Sequence, residues 1–174
     1  MNSTTVVIHA FRLVLLWAMQ VFILKSIALG WKGNVYLYVV LYPLFIILLP
    51  LRTPRALSLI LAFILGLSID VFYDSPGVHA GASVFTAYLR PFVLGWIEPR
   101  EGYNVNHSPT KARLGFDWFW RYAAIMLAAH LFFYFSLMEF SPVYFLSILL
   151  KTLFSFATSY VFLLMVVFIF NPVD

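Results

Sequence analysis

The chain has 174 residues, of which 63% are hydrophobic and 10% charged, with a formal net charge of +4 and a mean hydropathy of +0.95. A water-soluble domain carries about 25% charged residues; this chain has too few to cover a globule in water, so we expect an all-α integral membrane protein. Cysteine is absent, which excludes a disulfide framework, a thiol nucleophile and a cysteine-based metal site.

Six apolar stretches approach the roughly 20 residues that a helix needs to cross a bilayer. They predict a single polytopic domain, 1–174, with transmembrane helices at about 6–29, 35–50, 56–71, 79–96, 122–138 and 152–170. Arg12, Gln20 and Lys25 interrupt the first stretch. The side chains of Arg12 and Lys25 are long enough to reach opposite membrane surfaces.

Lysine and arginine predict the orientation of such a bundle. With six spans, seven basic residues share one side: Arg12, Arg52, Arg55, Arg100, Lys111, Arg113 and Arg121. Three lie on the other side: Lys25, Lys32 and Lys151. Both termini and the polar loop 97–116 are therefore predicted to be cytoplasmic. Basic residues that flank apolar spans in this way indicate topology and not nucleic-acid binding.

The stretch 66–91, GLSIDVFYDSPGVHAGASVFTAYLRP, concentrates polar groups between the third and fourth spans. The spacing of Gly66, Asp70 and Asp74 resembles half of the metal-binding motif of membrane CDP-alcohol phosphotransferases, but no carboxylate precedes Gly66 to supply the other half. Two carboxylates are too few for such a metal site. We interpret both aspartates as the end of the third helix and a solvated turn.

In the fourth span, His79, Ser83, Thr86 and Arg90 recur at helical spacing and are predicted to share one face. Pro91 follows Arg90, and proline kinks or ends a helix. We therefore favour an Arg90 that reaches the cytoplasmic surface. The alternative is an Arg90 that pairs with freed carbonyls or a carboxylate inside the bundle.

Small residues make the start of the fourth span thin. Gly77 and Gly81 form the small-x3-small spacing that lets membrane helices approach closely. We favour packing inside the bundle as the reason for this spacing, and keep a partner-docking surface as the alternative.

The later spans carry isolated polar residues. His130 is interpreted as a hydrogen-bonded packing residue and not as a ligand or proton carrier. Ser155, Thr158 and Ser159 are predicted to bond back to carbonyls of their own helix.

The polar stretch resembles the central signature of the rod shape-determining protein MreD family. That signature is a glycine, an aspartate four residues on, a loop ending in Gly-x-His-Ala, and Tyr-Leu-Arg near the end of the next helix. The matching residues are Gly66, Asp70, Gly77, His79, Ala80, Tyr88, Leu89 and Arg90. Arg12, Gln20, the second span YLYVVLYPLFIILLP and the loop start PREGY fit one branch of the family. The first span departs from the pattern, because Arg12 and Lys25 leave a short apolar centre.

This resemblance implies a non-catalytic scaffold of the cell-elongation complex in the bacterial inner membrane, without a cofactor. Such a protein binds the single-span partner MreC, and with it associates with the RodA transglycosylase, its transpeptidase and the MreB cytoskeleton. The implied fold is a six-helix bundle similar to the S components of vitamin transporters. Structural or partner-docking candidates are Gly66, Asp70, Gly77, His79, Gly81, Arg90, Pro91 and His130.

Two alternatives stay open. A vitamin-binding S component needs a cavity on the outer side, which Asp70, His79 and Lys151 could line. An intramembrane enzyme needs a nucleophile beside a base, and the sequence carries none of the H-E-x-x-H, G-x-S-x-G or P-loop motifs.

Overall fold

The computed structural model describes residues 3–31, 34–105 and 107–170. Seven α-helices lie in this part of the chain: α1, Ser3–Ala18; α2, Pro43–Ile47; α3, Arg55–Tyr73; α4, Val78–Trp96; α5, Lys111–Leu114; α6, Phe116–Glu139; and α7, Phe145–Phe170. Past its end, α1 continues as a π-helical turn, Met19–Ile23, and a 3-10 turn, Leu24–Ser26. A further 3-10 turn, Pro142–Tyr144, precedes α7. Lys32, which the orientation prediction used, lies outside the described residues.

Two short strands are the non-helical exception to the predicted all-α fold. Strand β1, Ala28–Trp31, pairs antiparallel with β2, Asn34–Tyr38. The register runs from Ala28 opposite Tyr38 to Trp31 opposite Asn34. The first predicted span thus ends in a hairpin that leads into the second.

Four helical segments of the described chain are long and apolar enough to cross a membrane: Val7–Ser26, Arg55–Tyr73, Phe116–Glu139 and Phe145–Phe170. They overlap the predicted first, third, fifth and sixth spans. The coarser prediction, a helical membrane protein, is therefore confirmed. The predicted fourth span coincides with α4, which has 19 residues but is not among the four, because its polar face lowers its apolar character.

The predicted second span, 35–50, is not a transmembrane helix. Its first part belongs to β2, which ends at Tyr38, and its only α-helix is the five-residue α2. Aromatic and β-branched residues before α2 favour extended backbone. Pro43 then begins α2 at its first turn, where proline is tolerated because the missing amide has no helical partner there.

Residues 38–49, called here the interior segment, run through the centre of the bundle. From Val39 to Leu49 every side chain is buried, with Leu41, Tyr42, Ile46 and Ile47 fully so. A segment surrounded by protein on every side needs apolar residues on every side. Its unbroken hydrophobicity is what made it resemble a lipid-facing span in the sequence.

Helices α3 and α4 form a tight antiparallel pair joined by a short turn. A Cβ atom built on Gly66 would lie 2.5 Å from both Ala80 Cα and His79 O. Only glycine permits this distance between the two backbones. On their outward surfaces, the helices of the bundle expose large apolar side chains, as expected for contact with lipid. Examples are Val71 on α3 and Leu146 and Ile169 on α7.

Candidate functional site

The turn between α3 and α4 depends on two residues with left-handed backbone. Asp74 ends α3 with φ 51° and Gly77 precedes α4 with φ 85°. Asp74 is exposed, in agreement with its interpretation as a solvated turn residue. The positive φ explains why glycine occupies position 77.

Asp70 caps the start of α4 from the neighbouring helix. Its carboxyl group accepts hydrogen bonds from the amides of His79 at 2.9 Å and Ala80 at 3.0 Å, the second and third residues of α4. The Ser75 hydroxyl donates to it at 3.0 Å, and His79 Nδ1 lies 2.9 Å from Oδ1. The first amides of a helix lack partners within it and favour negative charge. Asp70 is thus a buried cap and not a solvated residue as predicted, for it is only 4% exposed.

His79 lies inside a ring of tyrosines. Its imidazole centroid is 4.7 Å from that of Tyr73, 4.9 Å from that of Tyr134 and 5.8 Å from that of Tyr42. It is 1% exposed. His79 therefore packs against α6 and the interior segment, and its bond to Asp70 connects it to α3.

His130, on α6, is fully buried and bonds through both ring nitrogens. Thr86 Oγ1 donates to the Ala82 carbonyl at 2.7 Å and lies 2.7 Å from His130 Nδ1. Because the threonine proton is already used, Nδ1 must be the donor to Thr86. Nε2 is then the acceptor for the Tyr42 hydroxyl, 2.8 Å away. This chain of bonds ties the interior segment to α4 and α6 through a neutral imidazole.

Arg90 is buried within the bundle and bonds there, so its alternative prediction describes the structure and the favoured one, an arginine extended to the surface, does not. The side chain is 5% exposed. Its guanidinium donates to the carbonyl of Leu49 and, from Nε, to the Tyr122 hydroxyl at 3.2 Å. Tyr122 in turn donates to the Ile47 carbonyl at 3.2 Å. Pro91 lies inside α4, which continues to Trp96.

Gln20 reaches the other part of the interior segment from the π-helical turn after α1. Its amide nitrogen donates to the Val39 carbonyl at 3.0 Å, and its oxygen accepts from the Leu41 amide at 2.8 Å. The same nitrogen contacts the Tyr73 hydroxyl at 2.8 Å. One glutamine therefore replaces the strand partner that residues 39–41 lack.

Two serines of α7 supply further hydrogen bonds to the same stretch of backbone. Ser155 Oγ accepts from the Tyr38 amide at 3.0 Å, and Ser159 Oγ accepts from the Val40 amide at 2.8 Å. The prediction that they bond to their own helix is wrong for these contacts. It holds for Thr158, whose hydroxyl donates to a carbonyl one turn earlier at 3.0 Å.

Together these contacts satisfy backbone groups that no secondary structure satisfies. Non-helical backbone at membrane depth is tolerated only where protein covers it and supplies hydrogen bonds. Those bonds come from the first helical span, α4, α6 and α7, through five side chains: Gln20, Arg90, Tyr122, Ser155 and Ser159. Sequence reasoning offered this role only to Arg90, as the alternative prediction, although two serines four residues apart in a very apolar helix were a visible signal.

Gly81 faces a different environment from Gly66. It borders an apolar groove of about 690 Å³ between α3 and α6, with α4 as its floor. A Cβ atom on Gly81 would lie 2.8 Å from Leu137 Cδ1, the mobile end of a side chain. The tight backbone contact that the small residues predicted is made at Gly66 instead.

No group of three or more histidine, cysteine, aspartate or glutamate side chains within the described residues is placed to hold a metal ion. Comparison of the chain with models of known protein families, with curated proteins and with solved structures gives no match.

Proposed function

We propose that this chain is a non-catalytic membrane scaffold of the bacterial cell-elongation machinery, as its resemblance to the MreD family implies. The observation that supports the proposal most is that the polar residues of the signature stretch bond within the chain. Asp70 holds the amides of α4, and Arg90 holds a carbonyl of the interior segment. A substrate would have to break these bonds to use either group, whereas a scaffold needs them intact.

The partner in this proposal is the single-span protein MreC, and through it the RodA transglycosylase, its transpeptidase and MreB. A bundle whose polar groups bond to one another presents apolar side chains outward, as α1 does with Phe11 and α7 does with Leu153 and Phe154. Such surfaces suit a partner helix and membrane lipids, since helices associate in lipid by close packing.

The vitamin-transporter alternative receives no support from the proposed cavity residues. Asp70 and His79 are 4% and 1% exposed and bond to each other. Lys151 forms an ion pair with Glu139, where the end of α6 meets the start of α7. With these three groups already paired, they do not line an open ligand site. This favours the scaffold.

The proposed topology keeps six crossings, with the interior segment as the second. At one end of the segment the Leu51 amide donates to the His107 carbonyl in the polar loop at 3.1 Å; at the other, Tyr38 meets Ser155. Cytoplasmic termini and an inner-membrane location belong to the same proposal. A reporter fused after Val105 should give a cytoplasmic signal, and a periplasmic one would contradict it.

The function is tested by depleting the protein in a rod-shaped host that encodes it. Depletion should convert rods to spheres, and affinity-tagged protein should capture MreC from detergent-solubilised membranes. The matched control is the Asp74→Asn variant, which changes an exposed residue. When it is expressed in the depleted cells, it should restore the rod shape and retain MreC. Rods that persist after depletion, or a selective loss of vitamin uptake, would contradict the proposal.

A further inference from the structure

The connection between α6 and α7 exposes hydrophobic side chains at one end of the bundle. It spans residues 140–146, FSPVYFL, called here the apolar loop. Phe140 and Val143 are 85% and 86% exposed, and the three residues after Val143 are between 53% and 70% exposed. No charged residue lies between Glu139 and Lys151. A turn in water is usually polar, so this composition indicates a different surrounding.

The turn between α3 and α4 lies at the same end of the bundle and is polar. A Cβ atom on Gly81, near the start of α4, would lie 2.8 Å from Leu137 Cδ1, near the end of α6, which makes the two turns neighbours. Each begins with left-handed backbone, with φ 51° at Asp74 and φ 43° at Phe140. Glycine or asparagine is usual at such a helix end. The exposed carboxylate of Asp74 suits water, whereas a bulky exposed phenylalanine does not.

A cation marks the opposite end of the same two helices. Lys111 Nζ lies 4.1 Å from the ring centroid of Phe168 on α7. Phe116, the first residue of α6, packs against the same ring, with the centroids 5.4 Å apart. A lysine ammonium group stays at the membrane interface while its stem covers apolar surface. The start of α6 and the end of α7 therefore lie together at one boundary of the hydrocarbon.

The lengths of the two helices place the apolar loop beyond the other boundary. Phe140 is 24 residues from Phe116, and Leu146 is 22 residues from Phe168. At about 1.5 Å per residue, these separations are roughly 36 Å and 33 Å, and a typical tilt of about 20° shortens them by only about 2 Å. The hydrocarbon is about 30 Å thick, and the bilayer with its headgroups about 40–45 Å. This arithmetic puts the loop at the depth of the headgroups.

We propose that the apolar loop inserts into the headgroup layer of the membrane and anchors the α6–α7 pair at that depth. Aromatic side chains are enriched in this layer, and three of the seven loop residues are aromatic. The charges nearest to the loop, Glu139 and Lys151, form an ion pair with each other, as charges close to hydrocarbon do. A protein interface would have a polar rim, which the loop lacks. The proposal requires a bundle in a membrane and does not depend on the scaffold function.

The test measures the depth of a label on the loop. Because the chain has no cysteine, Val143→Cys can carry a single fluorescent label in the full-length protein. The protein is placed in lipid nanodiscs, where both membrane faces are open to water. Quenching is compared for nitroxides in the lipid headgroup, for nitroxides deep in the acyl chain, and for iodide in water. The headgroup nitroxide should quench the label at position 143 several-fold more than the deep nitroxide does.

Two other labelled variants are the matched controls. Pro76→Cys labels the exposed polar turn at the same end, and iodide should quench it several-fold more than it quenches the label at position 143. Ala157→Cys labels an exposed site of α7, about 17 Å along the helix from Phe168, and the deep nitroxide should quench it most. Equal iodide quenching at positions 143 and 76, or a depth profile at 143 like that at 157, would overturn the proposal.

A cross-link identifies what covers the loop in native membranes. A photoreactive phenylalanine analogue at position 145 keeps an aromatic ring there and reacts with its nearest neighbour. Labelling of lipid supports the proposal. Labelling of a second copy of this chain or of another protein would show that a protein interface covers the loop, and would contradict it.

Discussion

The α3–α4 pair and the interior segment satisfy the hydrogen-bonding groups of their backbones in opposite ways. In α3 and α4 the backbone bonds to itself, so that polar side chains such as Asp70 are available for the helix ends. In the interior segment the backbone lacks such partners, and Gln20 and Ser159 of other elements supply them. A polar residue in an apolar helix can therefore serve backbone that lies far away in the sequence.

The largest loss of stability is expected at the close backbone contact between α3 and α4. In Gly66→Ala the new methyl group would collide with the backbone of His79 and Ala80. Backbone does not rotate away as a side chain does, so we expect a loss of at least about 3 kcal/mol in the free energy of unfolding, or no folded protein. Thermal unfolding of the purified protein in detergent measures this.

Two glycines of α4 calibrate that result. Gly95→Ala meets nothing within 4 Å and should change stability by less than about 1 kcal/mol. Gly81→Ala meets only the end of Leu137, so its cost should lie between the two. A Gly66→Ala protein as stable as Gly95→Ala would show that the close backbone contact is not made.

The next largest loss of stability is expected at Asp70, and it should distinguish this residue from Asp74. Asp70→Asn removes the charge and one of the oxygens that hold the amides of α4, and buried groups left without partners cost about 1–3 kcal/mol. Asp74→Asn should stay within about 0.5 kcal/mol, because the site is exposed and asparagine tolerates left-handed backbone. Urea or thermal unfolding of both variants checks the order, and equal stabilities would contradict the capping role.

A smaller effect is expected in the interior segment. Ser159→Ala deletes the acceptor of the Val40 amide and should cost about 1 kcal/mol. Thr158→Ala deletes a hydroxyl that bonds only within its own helix and should be nearly neutral. If the two variants unfold at the same temperature, Ser159 has no special role.

The sequence predicts the helix pair better than the interior segment, for a physical reason. Apolar length identifies α3, α6 and α7, and the run Asp74 to Gly77 marks the turn between α3 and α4. Hydropathy, however, is the same for a helix that faces lipid and a segment enclosed by protein. The partners of that segment are also distant in sequence: Ser159 is 119 residues from Val40. Pro43 was the local sign that a helix could not run through 35–50.

Hydrogen–deuterium exchange in lipid nanodiscs tests most directly that the interior segment is held by side chains of the surrounding helices. The amides of Tyr38, Val40 and Leu41 should exchange slowly in the unaltered protein, although no helix includes them. Ser159→Ala should speed exchange at Val40 about fivefold, as expected for a bond of about 1 kcal/mol, and leave α3 unchanged. Fast exchange of these amides in the unaltered protein, or no change in Ser159→Ala, would contradict the account.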